Sequence, residues 1–156
     1  MINKVDFANI LFKRLAKSDD SKLFYNLRFN EKNKYFFISK KKVPYKDHIK
    51  WFSGKIKDKN NKYYVYYKKN YGSVGVVRYD KVKHYYKVSV YVKSKFVNKG
   101  IGKYLLKDSE KIFKKGTLLT SEIKKKNISS IKIFKQNNYD LFYKEINYDI
   151  YYKVCK

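Results

Sequence analysis

The segment from Tyr85 to Lys114 constrains the fold most, because its periodicity changes in mid-course. Tyr85-Tyr86-Lys87-Val88-Ser89-Val90-Tyr91-Val92 is β-branched and aromatic, with period-two alternation at Tyr86, Val88, Val90 and Val92. A polar run, Lys93 to Lys99, leads to Gly100-Ile101-Gly102-Lys103. From Gly102 the pattern is helical, with Tyr104, Leu105, Ile112 and Phe113 near one face. The whole chain of 156 residues holds six glycines, and two of them sit at this strand-to-helix junction. Glycine tolerates positive φ and lets the backbone approach an anion closely. The first turn of a helix adds free N–H groups and the positive end of its dipole. Such a junction can cradle a pyrophosphate.

The same glycine spacing also fits a tight turn that only starts a helix. A Walker loop is excluded, since no Gly-x-x-x-x-Gly-Lys-Ser/Thr is present. A dinucleotide fingerprint lacks its third glycine, which would fall at Leu105, and seven residues separate the strand from Gly100. Glu122 does lie near the offset of a ribose-binding acid.

The rest of the chain bounds the answer. Its length fits one domain, 1–156, able to bury a core. No apolar run reaches the length of a membrane span, and the start lacks a signal-peptide pattern. Cys155 is the one cysteine, so no internal disulfide forms, and with His48 and His84 the only histidines no metal site is expected. A reducing, cytoplasmic setting fits. The net charge of +26 invites a basic nucleic-acid-binding module, with tyrosines to stack on bases. Against it, Lys, Asn, Ile and Tyr are abundant together while Ala, Gly, Pro and Arg are scarce, the mark of an A/T-rich genome. The lysines are also spread along the chain. Nucleic acid is therefore not expected as a dedicated partner.

In order, Met1 to Phe7 reads as a frayed start and Ala8 to Lys17 as a strand. Ser21 to Asn30 reads as a helix capped by the Ser18–Ser21 turn, Tyr35 to Ser39 as helix or loop, and Tyr45 to Lys57 as a helix opened by Pro44. Tyr63–Lys68, Ser73–Tyr79 and the Tyr85 strand form an antiparallel meander, with a turn at Asp80–Lys83. Gly116 closes the helix after Gly100. Thr117–Ile123 is the next strand, parallel to the Tyr85 strand through a right-handed crossover. Asn127–Asn137 is a helix, and Tyr139–Ile146 with Asp149–Val154 forms a last hairpin.

This order, together with Gly100 and Gly102 after the Val90-Tyr91-Val92 strand, resembles the GNAT N-acetyltransferases over roughly Ala8 to Lys153. Their acetyl-CoA loop reads Arg/Gln-x-x-Gly-x-Gly/Ala, with Val97 here in the first place. A second mark is Ile123, Asn127, Ser130 and the pair Asn138-Tyr139. The resemblance implies an α/β GNAT fold, a mixed central sheet of about seven strands with flanking helices. It implies acetyl-CoA as cosubstrate, with Val90 and Val92 on the pantetheine and the thioester carbonyl. Val97, Asn98, Lys99, Gly100, Ile101, Gly102 and Lys103 would hold the pyrophosphate, and Asn127, Ser130 and Phe134 would flank the cofactor. Asn127 equally fits a plain helix cap.

Acetyl transfer to an amine needs a placed thioester, a donor for the oxyanion, loss of a proton from nitrogen and a proton for the leaving thiolate. Many relatives carry a carboxylate near Lys87, and a protonated lysine cannot act as base. Glu122 is the candidate base; the alternative is an exposed glutamate beside Lys124-Lys125-Lys126. Where relatives place a tyrosine acid this chain has Phe134, so Tyr139 or Tyr143 is the substitute, or no acid is needed. Arg28, His48 and Trp51 resemble the acceptor end of enzymes that acetylate nucleotide-linked amino sugars in the pseudaminic-acid pathway. Arg suits a phosphate. Each of the three also has an ordinary reading: surface Arg, satisfied half-buried His, core Trp. Acetyltransferases of ribosomal proteins, of other N-termini and of small amines share a similar front end.

Overall fold

The structure is a computed structural model that describes residues 11–30, 33–39 and 41–156. Among the described residues seven strands form one sheet in the order β1-β2-β3-β4-β5-β7-β6. They are β1 (Phe12–Leu15), β2 (Lys62–Lys68), β3 (Gly72–Val82), β4 (Tyr85–Val92), β5 (Leu118–Lys124), β6 (Asp140–Lys144) and β7 (Tyr148–Val154). Four helices flank them: α1 (Ser21–Phe29), α2 (Tyr45–Lys57), α3 (Ile101–Ser109) and α4 (Ile128–Gln136). The mixed sheet with flanking helices is the one read from the sequence. The expectation for Met1 to Phe7, and the first part of the Ala8 to Lys17 strand, lie outside the described residues.

Period-two patterning divides the core between the two faces of the sheet. Tyr64 and Tyr66 of β2 and Val77 and Tyr79 of β3 pack with Leu105 and Leu106 of α3 and Phe134 of α4. Their neighbours Tyr63, Val65 and Val76 pack the other way, with Phe24 and Leu27 of α1 and Phe52 of α2. Alternate residues of one strand thus serve two separate cores.

Tyr35 to Ser39, read as helix or loop, shares a short 3-10 turn, Lys34–Phe36, and is otherwise loop. Two boundaries differ from the sequence reading. β3 runs on through Asp80 to Val82, because Asp80 is drawn into the sheet by polar partners: the Tyr63 hydroxyl donates to it, and Lys55 Nζ lies 3.1 Å away. The turn falls instead at Lys83, which has φ of 48°. α3 ends at Ser109, and a 3-10 turn, Glu110–Ile112, follows it. Gly116 (φ 86°) therefore does not close the helix; its N–H donates to the Cys155 carbonyl, 2.8 Å, and starts β5.

β4 and β5 are the parallel pair, and they stay paired only from Tyr85↔Leu118 to Lys87↔Thr120. Beyond Lys87 the two strands splay. β4 remains bonded to β3 as far as Gly75↔Val92, whereas β5 follows β7 to Lys124↔Tyr148. The sheet opens at its centre, and the glycine loop lies at the end of the opening strand.

Candidate active site

The gap between β4 and β5 leads into a cleft of about 1,020 Å³. Ser121 Oγ reaches across and donates to the Val88 carbonyl, 3.1 Å. The backbone polar groups of Val88 therefore face the gap. By strand alternation those of Val90 and Val92 face it too. The intervening positions face β3, as shown by the Lys93 N–H that donates to the Val74 carbonyl at 2.9 Å. Val90 has no partner on β5 among the described residues. The splay thus leaves a strip of unpaired backbone donors and acceptors in a buried groove. Such groups need a partner, and an extended amide-bearing chain such as pantetheine supplies one.

The loop after β4 supplies the other half. Asn98 (φ 60°) and Gly100 (φ 75°) are both left-handed, and Gly100 is the N-cap of α3. A Cβ at Gly100 would meet nothing within 4 Å, so there the glycine serves backbone conformation. Gly102 serves packing: a Cβ would stand 2.7 Å from Ile133 Cδ1 and 3.6 Å from Val92 Cγ2. α3 and α4 can lie close together, with their N-terminal ends on the cleft. Lys103 and Lys132 line it beside them. Free N–H groups, left-handed loop residues and two ammonium groups fit a pyrophosphate.

Of the residues read as cofactor contacts, Val90, Val92, Val97, Asn98, Gly100, Ile101, Gly102, Lys103, Asn127, Ser130 and Phe134 line this one cleft. Lys99 does not; it is exposed, with Nζ 5.9 Å from the Phe96 ring centroid. Asn127 caps α4, its Oδ1 accepting from the Ser130 N–H at 3.2 Å, and also faces the cleft.

Glu122 lines the cleft on β5 and is ion-paired with Lys87 of β4. The pair bridges the point where the strands part. Burial disfavours the Lys87 ammonium, but the hydrogen bond and charge of Glu122 outweigh it, so its pKa is raised.

Tyr139 and Tyr143 fall elsewhere. Tyr139 is 2% exposed, packs against the Phe134 ring at 83°, and donates to Glu110 Oε1 at 2.7 Å. Lys153 Nζ closes that network on the other Glu110 oxygen, 2.5 Å. Burial drives the Tyr139 phenol well above its usual pKa. A hydroxyl committed to a core carboxylate has no path to the cleft. Tyr143 is 56% exposed on the edge strand β6.

The wall of the cleft read from the sequence as the acceptor side is lined by residues of α1, β3 and the 33–39 segment. Arg28 lines the cleft, with its guanidinium 5.2 Å from the Phe29 ring and 5.3 Å from the Phe37 ring. Among the described residues its Nε is buried without a hydrogen-bond partner. His48 and Trp51 do not line the cleft. His48 is 4% exposed, its Nε2 donating to the Ser21 carbonyl at 2.9 Å, stacked with Tyr45 and Phe52 and edge-on to Tyr25. Trp51 lies beneath Arg78, whose guanidinium is 5.3 Å from its ring. Arg78, Asp80 and Tyr91 are cleft residues that the sequence reading missed. Arg78 carried a signal: it is the one charge within Val74-Gly75-Val76-Val77-Arg78-Tyr79. Its Nε lies 2.9 Å from Asp80 Oδ2.

A central sheet parted at a parallel pair, beside a glycine-started helix, defines an acyl-CoA-binding fold. Residues 25–139 match the Acetyltransferase (GNAT) family, so the chain belongs to that family. It is an acyltransferase of a family whose cosubstrate is acetyl-CoA. No curated protein matches the chain by sequence. Solved structures match its fold. A domain from Methanocaldococcus jannaschii superimposes with a TM-score of 0.76 at 22% identity, over 92% of this chain and 97% of that one. An N-acetyltransferase from Staphylococcus aureus gives 0.72 at 21%, over 94% and 99%. A ribosomal L7/L12 α-N-protein acetyltransferase in complex with coenzyme A gives 0.76 at 14%, over 94% of both chains. Among the described residues no helix is long and apolar enough to cross a membrane, and no cluster of three or more His, Cys, Asp or Glu side chains could hold a metal.

Proposed function

We propose that this enzyme transfers the acetyl group of acetyl-CoA to a primary amine by direct attack, and that the amine belongs to a nucleotide-linked amino sugar. The observation that carries the transfer reading is the β4–β5 splay beside the Gly100 loop. Pantetheine runs along the backbone of Val90 and Val92. The pyrophosphate sits over Asn98 to Lys103, with Asn127, Ser130 and Phe134 alongside. The thioester reaches the acceptor side through the gap, and Glu122 takes the proton from nitrogen. A single domain in the cytoplasm fits a lone, buried, free Cys155.

The acceptor reading rests on charge. At the acceptor end Asp80 is held by Lys55, Arg78 and Tyr63, and Glu122 is held by Lys87. Arg28 makes no ion pair among the described residues; burial lowers its pKa, and the charge of Asp80, which is held by other partners, does not offset this. A half-buried guanidinium without a counter-ion is costly. A phosphate-bearing acceptor would match it through bidentate hydrogen bonds. A polyamine, with cations at both ends, would leave it unmatched. Spermidine N-acetyltransferases from Vibrio cholerae share the fold at 12% identity and a TM-score of 0.73, and the charge of this cleft argues for a different acceptor. An N-terminal amine on an acidic peptide is the second reading, because Arg28 would accept a carboxylate too.

The first test is thermal melting with acetyl-CoA, with ATP and a polyanion as charge controls. A ligand at a hundred times its Kd stabilises by about 2.7 kcal/mol, a rise of roughly 5 °C or more for this size. A rise specific to acetyl-CoA supports the cofactor site. CoA release is then read with nucleotide-linked amino sugars, acidic peptides and spermidine. Spermidine as the best acceptor would overturn the charge argument.

A further inference from the structure

The cleft has a candidate base but, among the tyrosines read as acids, none that reaches it. Tyr139 is committed to Glu110 and Tyr143 points from the sheet edge. Lys87 does reach it. Its ammonium lines the cleft at the mouth of the splay, in contact with Glu122 Oε1, and both side chains retain access, at 43% and 30% exposure.

We propose that Lys87 is the general acid of acetyl transfer, delivering its proton to the departing CoA thiolate while Glu122 receives the proton shed by the acceptor nitrogen. The inference rests on the transfer reading above and on Glu122 as base.

The step balances as follows. The neutral amine attacks the thioester carbon, forming a C–N bond and a nitrogen that carries one proton too many. Glu122 takes that proton. As the C–S bond breaks with its electron pair on sulfur, Lys87 gives a proton to the thiolate. Glu122, now a carboxylic acid touching a neutral amine, returns its proton to Lys87. One proton has passed from nitrogen to sulfur, and the pair is back in its starting state.

The timing follows from the coupling of the two groups. An ordinary lysine, with a pKa of about 10.4, is a weak donor to a thiolate whose acid has a pKa of about 8.5. The charge of Glu122 holds the proton on Lys87, while burial works against it. The other groups acting on Lys87 are Tyr85 on its own strand and Tyr148 at the start of β7, both weaker than Glu122. Protonation of Glu122 removes the main restraint and leaves the desolvation, so Lys87 becomes a better acid after nitrogen has released its proton.

The test uses the full chain and four forms: wild type, Lys87→Arg, Lys87→Met and Glu122→Gln. Hydroxylamine serves as the acceptor, because it is neutral near pH 7 and small enough to enter without Arg28. Arginine keeps the charge and the pairing with Glu122 but does not release a proton. Melting with acetyl-CoA should rise as much in Lys87→Arg and Lys87→Met as in wild type, while CoA release falls about 10²-fold in both. In ¹⁵N NMR the Lys87 ammonium, assigned by its loss in Lys87→Arg, should titrate lower in Glu122→Gln than in wild type. Equal CoA release in wild type and Lys87→Arg would overturn the proposal and leave Lys87 as a positioning residue. An unmoved Lys87 titration in Glu122→Gln would overturn the coupling. If wild type shows no melting response to acetyl-CoA, the cofactor site itself fails, which is a distinct result.

Discussion

Leu105 of α3 lies directly against the backbone of Gly75 in β3: a Cβ there would stand 2.9 Å from Leu105 Cδ2, and 2.6 Å from the Tyr91 carbonyl oxygen. Gly75 pairs with Val92, the last residue of the splayed strand. Gly75→Ala must therefore push either α3 or the end of β4. Overpacking of this kind costs about 1–3 kcal/mol, a fall in Tm of a few to about ten degrees. Because β4 moves with it, the melting response to acetyl-CoA should shrink as well. A variant that melts lower but keeps the full response would show that α3 alone gives way.

Tyr139→Phe separates structure from chemistry. It leaves buried Glu110 with Lys153 as its remaining side-chain partner. A lost hydrogen bond to a buried carboxylate costs about 1–3 kcal/mol, so the variant should melt several degrees lower. CoA release per folded molecule should match wild type. A large loss of turnover at unchanged stability would return Tyr139 to the reaction.

Arg28→Ala should raise the acceptor KM about tenfold to a hundredfold, as expected for a lost hydrogen bond to a charged group, with the acetyl-CoA melting response intact. It removes a buried Nε that has no partner, so Tm should hold or rise. Arg28→Lys should recover only part of the affinity, since an ammonium cannot reproduce the bidentate fork. An unchanged acceptor KM would remove Arg28 from the acceptor site.

His48 makes stability pH-dependent. Burial lowers its pKa most; the Ser21 carbonyl opposes this, and Arg28 and Arg78 add to the lowering. The unfolded histidine, with a pKa of about 6.5, then binds a proton more readily than the folded one. The contribution is fully present above that pH and is lost as pH falls from there toward the folded value. Tm should therefore decline as pH falls below about 6.5. The His48 ring protons should titrate below pH 6.5 in NMR; a midpoint at or above it would contradict the burial argument.

Local order was legible where periodicity and backbone chemistry decide it. The alternation of Val88, Val90 and Val92, the left-handed glycine at 100 and the cap that Asn127 gives the Ser130 N–H each depend on residues close by in the chain. The turn at Asp80–Lys83 was misread because Asp80 is polar, and its placement in β3 depends on Lys55, Tyr63 and Arg78. The acceptor side was harder to read. Arg28, His48 and Trp51 look alike in sequence as spaced, polar-tipped side chains, yet Arg28 faces the cleft and the other two pack beneath it. No local signal separates them, because the choice is made by which face of α1 and α2 the sheet covers.

The sequence by itself determined the strand and helix order, the parallel pair at the centre and the glycine-started helix beside it, since these follow from period, turn residues and the limits of the backbone. Only the tertiary structure decided which charges meet. Lys87 and Glu122 are far apart along the chain and lie on different strands, and Tyr139 meets Glu110 across a packed core. Their partners are set by strand register and helix packing, through which a charge in a buried groove finds its counter-ion in space and not in sequence.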